Sequence, residues 1–370
     1  MKVQPVNSKS LLRKFINFPY QFYQNSPHWI APLKLDQKNI FNPDKNSMLQ
    51  RCDYQLMLLI KADRSVGRIA IYLNRVANDY WGEKIGFFGH YECIDDQVAA
   101  NELLQAAQLW LQQRGMEKMR GPWNLVTQDI GFICDGFEMA PTILSSYNPE
   151  YYNSQVIKFG MSKVKDLLVY HCDTGAGYRM PDRFLKWTDK IARRYRVTVR
   201  SINLKKMVEE AQLIVRLTNA SIGDNWGYYP VDEAEAEQMA NDLKMIIHPE
   251  LVLIAEIAGQ PIGYVITLPD VNEILKTMNG RLFPFGIIKL WRGIKKLNRY
   301  RIWAMGLLKP YQNKGISVLL FRRLQEALAG RDVYVEANWV LEDNMLMNNA
   351  LRQLKFEQRK RYRIYEKDIV

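Results

Sequence analysis

One stretch constrains the fold of this chain more than any other: Met305-Gly306-Leu307-Leu308-Lys309-Pro310-Tyr311-Gln312-Asn313-Lys314-Gly315-Ile316-Ser317-Val318. An apolar, strand-like run stops at Pro310, which has no N–H for a sheet ladder. A short polar loop follows, and a helix opens at Gly315-Ile316 and runs as VLLFRRLQEALAG to about Gly330. The start of a helix leaves backbone N–H groups unpaired and carries about half a positive charge. Gly315 lets a ligand come close to the backbone, and Lys314 adds a full charge beside it. Such a turn suits an anion; it also suits an ordinary strand–turn–helix junction.

Hydrophobic periodicity supplies the surrounding elements. In the second half it predicts a strand at 197–201, helices at 204–219 and 231–242, and strands at 251–257 and 261–268 around the turn Ala258-Gly259-Gln260. It then predicts a strand at 301–308, the helix above, a strand at 332–338, a helix at 344–354 and a strand at 361–366. The first half repeats the plan, with a strand at 3–5, a helix at 8–23, and strands at 54–61 and 67–73 around Asp63-Arg64-Ser65. A strand at 86–92 and a long helix at 95–114 follow, and 148–170 echoes 344–365, as a duplicated unit would. The expected fold class is α/β with a mixed sheet, in two tandem domains at 1–178 and 196–370, the second carrying an insertion at 270–300.

Within the order β-α-α-β-β-β-α-β-α-β, the hexad Gln312-x-x-Gly315-x-Ser317 resembles the acyl-CoA-binding element of the GNAT acetyltransferase superfamily, whose loop reads Gln/Arg-x-x-Gly-x-Gly/Ala. The whole chain is similar to bacterial tandem-GNAT proteins, through the blocks PYQFYQNSPHWIAPL, GPWN, YNPEYY and NWVLEDN. The resemblance implies acetyl-CoA, or another acyl-CoA, as donor to an amine. It places the diphosphate on the main chain of Gln312, Asn313, Lys314, Gly315, Ile316 and Ser317. It puts a backbone N–H of Leu307 or Leu308 on the thioester oxygen, with a bulge at Gly306. Asn344 matches an asparagine that touches the cofactor, and a plain helix cap is its other role. The tyrosine that often protonates the leaving thiolate is replaced by Leu351.

Glu336 shares a strand face with Tyr334 and Asn338, and it is the candidate general base. A carboxylate paired with an arginine such as Arg301 is the equal alternative. Trp226 and Tyr228, between the two helices, and Trp339, after Glu336, are candidate acceptor contacts. The matching turn of the first half holds Glu92, Asp95 and Asp96 and no basic residue. Carboxylates there occupy the amides a phosphate would use. That half is therefore expected to be structural or to serve the acceptor, which would bind where the halves meet.

Charge narrows the partners. From Ile274 to Gln325 there is no acidic residue and there are twelve Lys and Arg, as many as the formal net charge of +12 for the whole chain. A field of one sign attracts polyanions: coenzyme A, an acidic carrier protein or an anionic membrane surface, with nucleic acid last because much of this basic set belongs to the core or the cofactor. Inside the insertion, Ile287, Leu290, Trp291 and Ile294 form one helical stripe with Lys289, Arg292, Lys295 and Lys296 elsewhere, a basic amphipathic helix expected to pack on its own domain or to serve as a lid or docking element. The four Cys and four His are scattered, so no metal site is expected, and phosphate-loop, dinucleotide and serine-hydrolase motifs are absent. No apolar run is long enough to span a bilayer or to form a secretory signal, so a cytoplasmic protein is expected. Three readings stand: an acetyl-CoA N-acetyltransferase, a transferase using longer acyl chains on coenzyme A or a carrier with a lipid-like acceptor, and a non-catalytic acyl-CoA-binding module.

Overall fold

Alternating strands joined by tight turns, then a strand–helix–strand crossover, recur in both halves of the protein. The structure, a computed structural model, describes residues 1–125, 129–175 and 180–370. The chain divides into two units: Met1–Leu167 with Asn272–Trp291 and Lys360–Val370, and Leu168–Val271 with Arg292–Arg359. The expected boundary at 178 lies outside the described residues.

The first half contains β1 (Lys2–Pro5), α1 (Lys9–Phe22), α2 (Lys34–Ile40), α3 (Ser47–Arg51), β2 (Cys52–Lys61) and β3 (Arg64–Asn74). Then come α4 (Arg75–Trp81), β4 (Ile85–Cys93), α5 (Gln97–Gln112), β5 (Lys118–Gly121), β6 (Phe132–Asp135), α6 (Tyr151–Lys158) and β7 (Ser162–Asp173). The turn between β2 and β3 is Ala62-Asp63, one residue earlier than expected; both have positive φ, as a two-residue hairpin requires. Helix α5 buries Ala99, Ala100, Leu103, Leu104, Ala107 and Leu111, a stripe at helical spacing.

Two features close the crossover of this first unit. Asp96 accepts the amides of Val98 and Ala99 at 2.9 and 3.3 Å and so caps α5. Strands β4 and β5 pair in parallel only from Ile85↔Lys118 to Phe87↔Arg120. Beyond that, the GPWN block fills the gap: Trp123 donates its N–H to Phe88 O at 2.7 Å, and Asn124 Oδ1 accepts the amide of His90. Burial, then Arg68, hold the pKa of His90 well below the usual value, and the neutral ring accepts from Leu125 N at 3.2 Å.

Asp166, 3% exposed, accepts from Nε and Nη2 of Arg363 at 2.7 and 2.9 Å. Burial opposes its charge, but Arg363 and Lys163 outweigh burial and hold its pKa below the ordinary 3.8. A depressed native pKa contributes stability that is present above the unfolded value and is lost as pH falls through the folded one. Acid unfolding followed by circular dichroism between pH ~5 and ~2 should therefore be shallower in Asp166→Asn than in the native protein.

The second half contains α7 (Asp182–Tyr195), β8 (Val197–Ser201), α8 (Met207–Ile222), α9 (Glu233–Leu243), β9 (Val252–Ile257) and β10 (Gln260–Pro269). It continues with α10 (Asn272–Leu275), α11 (Gly286–Ile294), β11 (Arg299–Leu307), α12 (Ile316–Ala327), β12 (Tyr334–Leu341), α13 (Met345–Gln353) and β13 (Glu357–Asp368). Strand order in the second unit is β8-β9-β10-β11-β12, with β7 beside β12. Pairs from β8 to β11 are antiparallel, and β11 with β12 is parallel. The β9–β10 turn is Ala258-Gly259, both at positive φ. Helix α12 buries Ile316, Leu320 and Leu324, one face at successive turns, in a core with Val333, Val335 and Ala337 of the following segment. In the first unit, the last strand β13 pairs with both β5 and β6.

Candidate functional site

Strands β11 and β12 pair from Arg299↔Tyr334 to Ile302↔Ala337 and no further, although β11 continues to Leu307 and β12 to Leu341. They diverge at a bulge. The β10 register steps from Ile266↔Ala304 to Thr267↔Ile302, which leaves Trp303 unopposed. The bulge expected at Gly306 is thus at Trp303. Gly306 is glycine for a different reason: a Cβ there would lie 2.3 Å from Ser221 Oγ and 2.8 Å from the Tyr264 ring.

The register also decides which amides face the divergence. Leu308 N–H donates to Ile262 O at 2.9 Å, so Leu308 is committed to β10 and is not available to a thioester. In an antiparallel ladder successive residues turn their N–H to opposite edges. Leu307 and Met305 therefore present theirs to the β12 side.

The loop that follows is held from within. Tyr311 N–H donates to Leu308 O at 2.8 Å, and Gln312 Nε2 donates to Leu307 O at 2.9 Å and Ser221 O at 3.4 Å. The Gln312 side chain is thereby turned back onto β11 and α8. Asn313 and Gly315 have φ of 59° and 75°, and Gly315 stands at the N-cap of α12 with no side-chain cap. Among the described residues, the amides of 313–317 make no hydrogen bond within the chain. Lys314 Nζ stands 5.5 Å from the Tyr311 ring and 5.6 Å from the Tyr195 ring.

Helix α7 walls this turn. A Cβ on Gly315 would come 2.3 Å from Trp187 Cη2 and 2.7 Å from Ile191 Cδ1. Arg322 of α12 fixes α7 in place, donating Nη1 to Thr188 Oγ1 at 2.8 Å, Asp189 Oδ1 at 2.5 Å and Leu185 O at 3.3 Å. No helix was expected at 182–195. Its signal is nonetheless in the sequence: Phe184, Leu185, Thr188, Ile191, Ala192 and Tyr195 recur at helical spacing on the face toward the core, in a strongly charged segment with Asp182 in the first turn and Arg193 and Arg194 in the last.

The loop between α8 and α9 meets the same region. Asp224 pairs with Lys309, beside the turn. The Tyr228 hydroxyl is bonded to Asn219 Oδ1, and Asn219 Nδ2 donates to Val231 O at 3.1 Å. Tyr228 is thereby a brace of its loop, while Trp226 stands half-buried.

Glu336 is 1% exposed and lies opposite Arg301, equally buried, in the parallel register. Asn338 Nδ2 donates to its Oε1 at 2.6 Å, and the Tyr334 hydroxyl to its Oε2 at 3.3 Å. Burial, then the Glu336 carboxylate, push the Tyr334 hydroxyl far up, so it stays protonated as a donor. The Arg301 guanidinium stands 5.1 Å over the Trp339 ring. Glu336 is thus a buried carboxylate that accepts from Asn338 and Tyr334, with Arg301 at the register position beside it. His171 on β7, not singled out by the sequence, has its ring 5.3 Å from that of Tyr334 and is held below its usual pKa by burial and then Arg359.

Asn344 does the cap's work, accepting Met347 N–H at 3.1 Å at the start of α13. Leu351 is fully buried in the core and offers no proton. Among the described residues, no group of three or more His, Cys, Asp and Glu could hold a metal ion.

No family model matches the chain. Protein YghO of Escherichia coli is 32% identical over 98% of this chain and 94% of its own length. A protein of Caulobacter vibrioides named bacterial ceramide synthase is 32% identical over 99% of this chain and 97% of its own length. Among solved structures, a tandem GNAT protein from the clavulanic acid biosynthesis pathway matches with a TM-score of 0.57 over 100% of this chain and 98% of that one, at 10% identity. That last likeness is one of fold.

Proposed function

The chain belongs to the family of Protein YghO and the bacterial ceramide synthase and has the fold of a tandem GNAT protein, and from that premise we propose that its second unit is an acyl-CoA-dependent N-acyltransferase. One observation carries the reading: the divergence of β11 from β12 at Trp303 leads along the amides of Met305 and Leu307 to the uncapped turn at Gly315. In this reading the pantetheine arm pairs with the open edge of β11. The diphosphate takes the amides of 313–317, and Lys314 adds its charge.

The Leu307 amide polarises the thioester carbonyl. The amine nitrogen attacks the carbonyl carbon, a C–N bond forms, the C–S bond breaks, and coenzyme A leaves as its thiolate. A thiol of pKa ~8.5 is a good enough leaving group to depart without an acid, which suits the buried Leu351. Glu336 takes the proton released from the amine, directly or through water. Trp226 and Trp339 are the proposed acceptor contacts.

The relative's printed name guides the finer reading. Ceramide is the amide of a long-chain amino alcohol, so the proposed acceptor is a lipid-like amine and the proposed acyl chain is longer than acetyl. Acetyl transfer to a small or peptide amine is the second reading, favoured by the hexad at 312–317. To test both, the protein is incubated with thioesters from acetyl-CoA to palmitoyl-CoA and with short and long amines, and the products are weighed by mass spectrometry. Amide formed from long-chain substrates with stoichiometric free thiol is expected. Acetylated product alone would decide for the second reading, and no amide from any pair would remove both.

A further inference from the structure

Exposed apolar side chains come singly or in pairs elsewhere in the described chain, but five crowd into the nine residues from Phe283 to Trp291. Phe283, Phe285 and Trp291 are 68%, 70% and 68% exposed, and Ile287 and Ile288 are 43% and 49%. The expected packing of the whole stripe Ile287, Leu290, Trp291 and Ile294 against the protein does not occur. Leu290 is buried, as is Leu297 just beyond the helix, and Ile294 is partly covered. Burial of the apolar side chains of α11 is thus confined to Leu290 and, in part, Ile294, and Ile287, Ile288 and Trp291 remain exposed.

At about 100° per residue, Leu290 and Ile294 define the inner side of α11. Ile287, Trp291 and Ile288 occupy the adjoining arc, and Lys289 and Arg292 the arc after that, with Lys295 and Lys296 directly following the helix. Arg281 precedes the cluster, and along the chain the nearest acidic residues are Glu273 and Glu326. A duplex would be met by the charges alone, and the bases of a single strand would stack on the aromatic rings but leave the two isoleucines without a counterpart. A bilayer surface meets both: aromatic and branched side chains enter the headgroup–acyl boundary while lysine and arginine reach lipid phosphates.

We propose that residues 281–296 are a peripheral-membrane anchor that lays Phe283, Phe285, Ile287, Ile288 and Trp291 into an anionic bilayer, with Lys289, Arg292, Lys295 and Lys296 on its phosphates. The anchor goes beyond the transferase reading and needs no turnover to be seen. It would hold the protein at a lipid surface without any spanning segment, and among the described residues no helix is long and apolar enough to cross a membrane.

The test is flotation of the full-length protein with vesicles of phosphatidylcholine alone or mixed with phosphatidylglycerol. The native protein should float with the anionic vesicles only, and less so as salt rises. The triple variant Phe283→Ser, Phe285→Ser, Trp291→Ser should stay at the bottom while melting at the native temperature, because these side chains are already exposed. Lys289→Gln and Arg292→Gln should each weaken binding about fivefold. Failure of the native protein to float, or flotation undiminished in the triple variant, overturns the anchor. So does a native oligomer that the triple variant dissociates, since the cluster would then be a contact between copies. Coenzyme A binding, measured on the same preparations, stands or falls separately.

Discussion

Gly315→Glu should bind no coenzyme A by calorimetry, against a micromolar-scale affinity for the native protein. Three effects act together. At φ 75° any residue with a Cβ is strained by about 1–2 kcal/mol. The new Cβ would also stand 2.3 Å from Trp187 Cη2, so α7 must shift. Finally, the added carboxylate lies beside the amides of 313–317 and satisfies them as Asp96 does those of Val98 and Ala99 in the first unit. Gly315→Ala separates these effects, because it carries the strain and the clash without the charge. Its affinity should fall by roughly tenfold, equivalent to ~1.4 kcal/mol, and adding Trp187→Ala should recover part of that loss. Native affinity in Gly315→Glu would place the diphosphate elsewhere.

Glu336→Gln should lower kcat by about 10²–10⁴, the usual range for a positioned base, and leave the KM for acyl-CoA little changed. It should also destabilise the protein. Arg301 stands opposite in the register and is itself 1% exposed, and removing one charge of a buried pair costs about 3–5 kcal/mol. The two roles separate by pH. If Glu336 is the base, the acidic limb of the kcat/KM profile disappears in the variant. If it only balances Arg301, the melting temperature falls while kcat per folded molecule and the acidic limb persist, and the catalytic role is removed.

Much of this architecture is visible in local patterns, because local pattern is where its causes lie. Strand β8 lies where alternation puts it, the β9–β10 hairpin follows from Ala258-Gly259, and the turn before α12 follows from Pro310 and Gly315. Asp96 as a cap is equally local. The remainder depends on partners distant in sequence. That Leu307 and not Leu308 faces the divergence is set by the β10 register through Ile262. The bulge at Trp303 is likewise a matter of counting residues against β10, and nothing in its own neighbours marks it.

Helix α7 shows a third kind of failure. Its apolar stripe, Phe184, Leu185, Ile191, Ala192 and Tyr195, has helical spacing and is legible despite the many charges between, but only the structure shows that Trp187 and Ile191 are why Gly315 must lack a side chain. The grouping of 272–291 and 360–370 with the first unit has the same character. For the C-terminal segment, the pairing of β13 with β5 and β6 decides it, across more than two hundred residues of chain.

Hydrogen exchange of the native chain with and without coenzyme A, read residue by residue, tests the central claim most directly. The amides of Met305 and Leu307, on the open edge of β11, and those of 313–317, at the start of α12, should slow markedly when coenzyme A is added. Unchanged exchange at these positions, with protection elsewhere or nowhere, would contradict the account.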